Sequence, residues 1–292
     1  MKKRLFENYS YYLPGYGGMF GLFVMFLLGA VLGNIVALPL AALLPAESVN
    51  DWVTLVSYPV MFIPPMLFAR RRSRMASIFN PGLALDSDNF GHLGGWRMAL
   101  IAAGMTIATS FVAEPIMTLL PQMPEWFEEI MTGLTGGNLL LSFISVSIFA
   151  PLFEEWLCRG VVLRGLLSHT RPASAIAVSA VFFAVLHMNP WQAVPAFLLG
   201  LVFGYVYYKT GSLKLTMLMH FTNNTMALVF SRIPSLEEAE TLADVMSPWA
   251  YAGIIAASVL FLAAAFITLR AIPMRSEDAA CNCDEVPAIS AE

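Results

Sequence analysis

The chain has 292 residues, of which 58% are hydrophobic and only 12% charged, and its net charge at pH 7 is −4. Soluble domains carry about 25% charged residues, so this composition excludes an ordinary soluble globular protein and favours helices that span a bilayer. No basic stripe interleaved with aromatic residues is present, which argues against a nucleic-acid partner. Three cysteines are too few to form a disulfide framework.

Long apolar runs follow one another along the chain, separated by charges, Pro or Gly. A run of about 20 apolar residues crosses the hydrocarbon core of a membrane, and about eight runs approach that length. They predict helices over residues 17–44, 52–69, 96–120, 139–169, 173–188, 191–208, 213–230 and 249–269. The sequence therefore predicts an all-α protein, a polytopic membrane bundle of about eight transmembrane helices.

Three other segments do not fit a membrane span. Residues 75–93 are too polar to cross, and residues 124–134 form a short amphipathic pattern typical of an interfacial helix. Residues 276–292 are polar and acidic and are expected to be disordered, since they cannot bury enough apolar surface to fold. We therefore predict a single membrane-embedded domain over residues 1–275, followed by this tail. Cys281 and Cys283 in the tail are a weak indication of metal binding.

Basic residues alternate from loop to loop along the predicted bundle. One set of loops contains nearly all the Lys and Arg side chains, whereas the other contains mainly Glu and Asp, with Arg232 as the one basic exception. Because Lys and Arg accumulate in cytoplasmic loops, this bias predicts that both termini lie in the cytoplasm. The expected location is the bacterial inner (cell) membrane, with lipid as the surrounding solvent.

The span over residues 139–169 contains the densest group of charges. Glu154 and Glu155 are adjacent, and Arg159 follows Glu155 by four residues. Helical spacing places Glu155 and Arg159 on one face within ion-pair distance, while Glu154 points about 100° away. One carboxylate is thus expected to be neutralised and the other to remain free. A purely structural charge network is the alternative.

Two of the four histidines also fall within spans. At 1.5 Å per residue, His187 and Glu154 both lie roughly 21 Å from the cytoplasmic end of their spans. His220 and Asn224 come to roughly 10 and 16 Å, which helix tilt would bring into the same layer. A lone histidine is as often a hydrogen-bonded core residue as a catalytic one, but two histidines and two glutamates at similar depth favour a functional site.

Two further polar residues are interpreted structurally. Glu114 precedes Pro115 near the outer end of its span, where snorkelling or a turn disrupted by proline accounts for it. Cys158 lies beside the acidic pair without an activating base of its own, so it is expected to be a small packing residue.

Three motifs follow one another on successive spans. They are Glu154-Glu155-x-x-x-Arg159, Phe183-x-x-x-His187 and His220-x-x-x-Asn224. In this order they resemble the motifs of the CPBP intramembrane protease family, which includes CAAX prenyl endopeptidases and Abi-type bacteriocin-processing or immunity proteins. The resemblance covers about residues 139–230 and implies an eight-helix bundle around a wet cavity.

The resemblance also implies a role for each motif residue. Glu154 and His187 would polarise a water molecule, His220 and Asn224 would hold the developing oxyanion, and Glu155 would brace the helices together with Arg159. Glu154, His187 and His220 could also supply three ligands to a divalent metal such as Zn²⁺. A metal-free attack driven by the glutamate uses the same residues.

The function predicted from these residues is an intramembrane endopeptidase that acts on a membrane-associated protein or peptide, with a prenylated or bacteriocin-type substrate as the family options. One alternative is a non-catalytic immunity or binding protein that uses the polar cluster for recognition. Another is a proton-coupled transporter, since buried Glu and His also serve as proton relays. The sequence shows no repeat halves or paired broken helices to support a transporter.

Overall fold

The fold is a bundle of helices around one long central helix. The computed structural model describes residues 5–79, 82–135, 137–233 and 242–273. After a short 3₁₀ turn over Leu5–Tyr9 come the helices α1 Tyr16–Leu43, α2 Ala46–Met61, α3 Ile63–Ala76, α4 Gly94–Met117, α5 Glu125–Thr135, α6 Leu139–Leu167, α7 Pro172–Leu186, α8 Pro190–Thr210, α9 Leu213–Phe230, α10 Leu242–Val245 and α11 Pro248–Arg270.

Each of the eight predicted spans coincides with helical structure. Six helical segments in the described part of the chain are long and apolar enough to cross a membrane, and α2 and α3 together make one of them. The other two spans correspond to α7, which is shorter, and α9, which contains the polar residues of the third motif. The prediction of a polytopic all-α membrane protein is thus confirmed.

One predicted span differs in detail. The segment expected over residues 52–69 starts earlier, continues to Ala76, and is broken at Phe62. The break follows from proline, which removes a backbone donor and clashes with the preceding turn. Pro59 lies in α2, and Pro64 and Pro65 open α3. The extension past residue 69 is an exposed run of arginines, in which helix formation is favourable.

The surface of the bundle is apolar where lipid is expected. Large side chains of α1 and α11 are widely exposed, among them Leu38 at 64% and Leu260 at 71%. Helices in a membrane need no polar outer face, because lipid chains are as apolar as leucine. These surfaces and the six long apolar helices identify an integral membrane protein.

Outside the spans, residues 124–134 were predicted to be helical, and α5 is amphipathic, with acidic residues in its first turn. Most of residues 82–93 connects α3 to α4 without helical structure, consistent with a segment too polar to span. The tail over residues 276–292, with Cys281 and Cys283, lies outside the described residues.

α6 is the helix around which the others are arranged, since it contacts α2, α7, α8 and α9. It is not a uniform α-helix, because it widens to π-helical geometry over Phe143–Phe149 and again over Trp156–Leu163. Only the turn Ala150–Glu155 between them is α-helical. π-helical turns are rare and occur frequently at functional sites.

Candidate active site

The site is built where α6 presents Glu154 and Glu155 to different neighbours. Glu155 is fully buried, and its Oε1 accepts a hydrogen bond from Nη1 of Arg159 at 2.7 Å. The same oxygen is 3.0 Å from Nδ1 of His220 on α9. The ion pair predicted from the four-residue spacing is therefore present, and His220 joins it.

The Arg159 guanidinium is held from several sides. It is fully buried, stacks over the rings of Phe183 at 4.5 Å and Phe203 at 5.3 Å, and donates from Nη2 to the carbonyl of Gly200 at 3.3 Å. Gly200 permits this contact because α7 and α8 cross closely there, and a Cβ would lie 3.0 Å from that of Ala180. A desolvated cation gains from aromatic faces as well as from its carboxylate partner.

The Phe183 ring brings the second and third motifs together. His187 packs edge-on against it with a centroid separation of 5.1 Å, and His220 does so at 5.5 Å. Both motif histidines and Arg159 thus surround one aromatic ring. This contact shows that α6, α7 and α9 bring their motifs into one region.

The hydrogen bonds of the two histidines determine their tautomers. Nδ1 of His187 lies 3.0 Å from the carbonyl oxygen of Phe183, which can only accept, so this nitrogen carries the proton. Nδ1 of His220 likewise donates to Oε1 of Glu155, which also accepts from Arg159. Each ring is left with Nε2 as its reactive atom. In the described structure neither Nε2 has a hydrogen-bond partner.

Glu154 has a different environment. Its Oε1 accepts a hydrogen bond from the hydroxyl of Tyr58 on α2. Its Oε2 is buried and has no hydrogen-bond partner among the described residues. No direct hydrogen bond joins Glu154 to His187 or His220 in the same part of the chain, so a water molecule would have to connect them.

Asn224 completes the third motif, and its position follows from the sequence of α6. Its Nδ2 donates to the carbonyl of Val146 at 2.8 Å. In the π-helical stretch the amide of Ala150 bonds to Ser145, and the next residue, Pro151, has no N–H. The Val146 carbonyl therefore lacks a partner within its own helix, and Asn224 supplies one.

Side chains outside the motifs extend this network. Asn223 donates from Nδ2 to Oδ1 of Asn224 at 3.0 Å, and its own Oδ1 accepts from the hydroxyl of Ser110 on α4 at 3.1 Å. Sequence analysis missed Tyr58, Ser110 and Asn223. For Tyr58 the signal was a polar side chain in mid-span, the criterion already applied to charged residues.

Cys158 and Glu114, which the sequence analysis interpreted as structural residues, make no side-chain hydrogen bond to the motif residues in the described structure. Cys158 is fully buried in the hydrophobic core. Glu114 accepts a hydrogen bond from the backbone amide of Leu242, the first residue of α10. It therefore ties α4 to the polypeptide leading into α11, away from the paired glutamates.

A bound metal was one expectation, with Glu154, His187 and His220 as ligands. Nδ1 of each histidine is engaged as in many metal sites, which leaves Nε2 for a ligand. However, no three His, Cys, Asp or Glu side chains of the described residues form a group that could hold a metal ion. The three residues are not assembled as a ligand set in this arrangement.

Comparison with known proteins locates the site within a family. Residues 136–226 match the family model described as "Type II CAAX prenyl endopeptidase Rce1-like". A protein of Escherichia coli described as "Uncharacterized 24.3 kDa protein" is 28% identical over 141 residues, which cover 46% of this chain and 60% of that protein. The alignment thus spans less than two thirds of the relative. No solved structure matches the chain. The matched segment contains all three motifs, so the likeness to this family rests on the part of the chain that builds the site.

Proposed function

We propose that this protein is an intramembrane endopeptidase in which Glu154 activates a water molecule. The observation that carries the proposal is the contrast between adjacent carboxylates. Glu155 is paired with Arg159 and His220, whereas the one donor to Glu154 among the described residues is the uncharged Tyr58 phenol, although each carboxylate has one buried oxygen without a donor. An unpaired carboxylate in a membrane helix is costly, which favours a chemical role for it. The match to an endopeptidase family supports the same conclusion.

The proposed reaction uses side-chain atoms that have no hydrogen-bond partner among the described residues. Glu154 Oε2 takes a proton from water, and the resulting hydroxide attacks the carbonyl carbon of the substrate. Nε2 of His187, which has a lone pair, helps to orient that water. The tetrahedral oxyanion is stabilised by the amide of Asn224 and, when its ring is protonated, by Nε2–H of His220. Collapse breaks the C–N bond, and the leaving nitrogen takes the proton held by Glu154.

Glu155 contributes indirectly to this scheme. Its Oε1 is hydrogen-bonded to Nδ1 of His220 and so orients the imidazole ring with Nε2 free. Arg159 in turn holds Glu155 in place through its Nη1. We propose that this pair holds His220 ready to stabilise the oxyanion rather than taking part in bond cleavage.

The proposed substrate is a membrane-associated protein or peptide, with a prenylated C-terminus or a bacteriocin-type peptide as the chemical classes to test. We place the protein in a bacterial inner membrane with both termini in the cytoplasm, following the distribution of basic residues. The tail cysteines provide a test. A membrane-impermeant maleimide should label Cys281 and Cys283 in inverted vesicles but not in intact cells, while buried Cys158 should stay unlabelled in both.

The function itself is tested by comparing the termini of membrane proteins in cells that express the wild type or Glu154→Ala at equal levels. At least one protein should have a new terminus only with the wild type, and the purified enzyme should cleave the corresponding peptide in proteoliposomes. Unchanged termini, or cleavage that persists in the variant, would contradict the proposal. A non-catalytic immunity protein would instead retain its protective effect after Glu154→Gln.

The same preparation tests whether a metal is needed. We expect activity to persist after dialysis against a chelator, because Glu154 and the two histidines act directly on water and substrate in the proposed scheme. Loss of cleavage with the chelator, restored by Zn²⁺ in proportion to bound zinc, would show that Glu154, His187 and His220 rearrange into a ligand set.

A further inference from the structure

Tyr58 is the one described side chain that donates a hydrogen bond to Glu154. It lies on α2, far outside the segment matched by the family model, residues 136–226. Because the phenol occupies Oε1, the two oxygens of this carboxylate are not equivalent. Only Oε2 is left without a partner.

The position of Tyr58 is fixed by the break between α2 and α3. Pro59 follows it directly, and the helix ends at Met61. A proline in the helix interior disrupts the backbone hydrogen bonds, in keeping with a helix that ends two residues later. Phe62 at the break is fully buried and packs against the ring of Tyr58, with centroids 5.7 Å apart.

The same aromatic contact reaches α6. The ring of Phe62 stacks on that of Phe153 with a centroid separation of 5.2 Å and an interplanar angle of 16°. Phe153 immediately precedes Glu154. The phenol and the carboxylate are therefore held against each other by a stacked aromatic pair as well as by their hydrogen bond.

We propose that Tyr58 is a positioning residue for the general base Glu154, supplied by a helix outside the motif-bearing segment. The proposal rests on the proposed function. The donated hydrogen bond engages Oε1, which leaves Oε2, without a donor among the described residues, as the oxygen that accepts a proton from water. It also orients the group so that Oε2, and not Oε1, is directed to the reaction.

The test is Tyr58→Phe in the full-length protein, assayed on the peptide identified for the wild type. We expect kcat per folded molecule to fall roughly tenfold, the equivalent of one charge-assisted hydrogen bond, with KM unchanged. Tyr12→Phe is the matched control. Tyr12 is also buried against an aromatic ring, but in the described structure its hydroxyl has no hydrogen-bond partner. This variant should retain wild-type kcat.

Two further variants separate positioning from helix packing. A fluorotyrosine at position 58 keeps the ring and the hydroxyl, so its kcat per folded molecule should stay above that of Tyr58→Phe. Adding Tyr58→Phe to Glu154→Gln should have no further effect on the residual cleavage rate, because Tyr58 acts through the carboxylate.

The outcomes distinguish this proposal from the function on which it rests. If Glu154→Gln is inactive but Tyr58→Phe has wild-type kcat per folded molecule, Tyr58 only ties α2 to α6 and the proposal is wrong. If Tyr58→Phe slows cleavage equally with and without Glu154→Gln, the residue does not act through Glu154 and the proposal is also wrong. If Glu154→Gln cleaves as well as the wild type, the proposed function fails.

Discussion

Glu154 and Glu155 are neighbours in sequence, yet α6 turns them toward different parts of the bundle. Glu155 is paired with the Arg159 guanidinium, which packs over two aromatic rings, and with the imidazole of His220 on α9. Glu154 lies toward α2, where one phenol is its only donor among the described residues. The carboxylate of Glu155 thus has a cationic partner, whereas in the described part of the chain that of Glu154 has an uncharged one.

The difference follows from helix geometry and from what each neighbouring helix supplies. Successive residues are rotated by about 100°, so adjacent side chains cannot share one environment. Arg159 lies one turn beyond Glu155 and reaches it, but a cation one turn beyond Glu154 is missing, because that position is Cys158. In the proposed scheme, an adjacent acidic pair followed by a single arginine thus divides structural and chemical roles between two identical side chains.

The largest expected effect comes from removing the free carboxylate. Glu154→Gln keeps the shape and an acceptor for Tyr58 but removes the base, so kcat should fall by roughly 10³-fold. The free energy of unfolding in mixed micelles should not decrease, since the substitution removes a buried charge that lacks a cationic partner. Steady-state cleavage and detergent unfolding measured on one preparation check both statements.

Glu114→Gln is a matched control for that experiment. The substitution is the same, in another membrane helix, and the new side chain still has an acceptor for the amide of Leu242. It should leave kcat unchanged. An equal loss of activity in the two variants would mean that the bundle responds to any buried Glu→Gln change, and the contrast between the neighbouring glutamates would disappear.

The next largest effect concerns the neutralised carboxylate. Arg159→Met should lower the free energy of unfolding by about 3–5 kcal/mol, because it leaves Glu155 buried without a cation. Combining it with Glu155→Gln should recover most of that loss, since an uncharged pair needs no compensation. Thermal or denaturant unfolding of the three variants measures this. If Arg159→Met unfolds like the wild type, Glu155 is not held by the ion pair.

Much of this arrangement was predictable from the sequence. Apolar run length gave eight helices at nearly correct positions, and the four-residue spacing predicted the pair of Glu155 and Arg159. Both predictions succeed because they depend only on local helix geometry. The estimated depth of His220, by contrast, was roughly 10 Å on a 1.5 Å rise, and helix tilt was needed to bring it into the layer of the glutamates. That its side chain bonds to Glu155 is seen only in the structure.

Other features depend on distant residues that no local pattern connects. The bond from Tyr58 to Glu154 joins helices 96 residues apart. The anchoring of Asn224 requires a π-helical turn and Pro151 acting together, since either alone would leave the Val146 carbonyl with a backbone donor. Helical propensity does not predict where a helix widens, so the origin of this contact is visible only in the structure.

The smallest expected effects test how the motif asparagine is oriented. The Val146 carbonyl can only accept, so Nδ2 of Asn224 must face it and Oδ1 must face Asn223. By the same reasoning Nδ2 of Asn223 faces Asn224, and its Oδ1 receives the hydroxyl of Ser110. One free carbonyl on α6 thus determines the orientation of two amides and connects α4 to the site.

If that chain of hydrogen bonds orients the oxyanion donor, Asn223→Ala should lower kcat about fivefold, the equivalent of one neutral hydrogen bond, and Ser110→Ala should lower it less. Thr222→Ala is the matched control, because the Thr222 hydroxyl bonds only to the carbonyl of Leu218 in its own helix. An equal decrease for Thr222→Ala would attribute the effect to α9 as a whole. A graded decrease from Asn223 to Ser110, with Thr222→Ala unchanged, would show that α4 contributes to the geometry of the site although no motif lies on it.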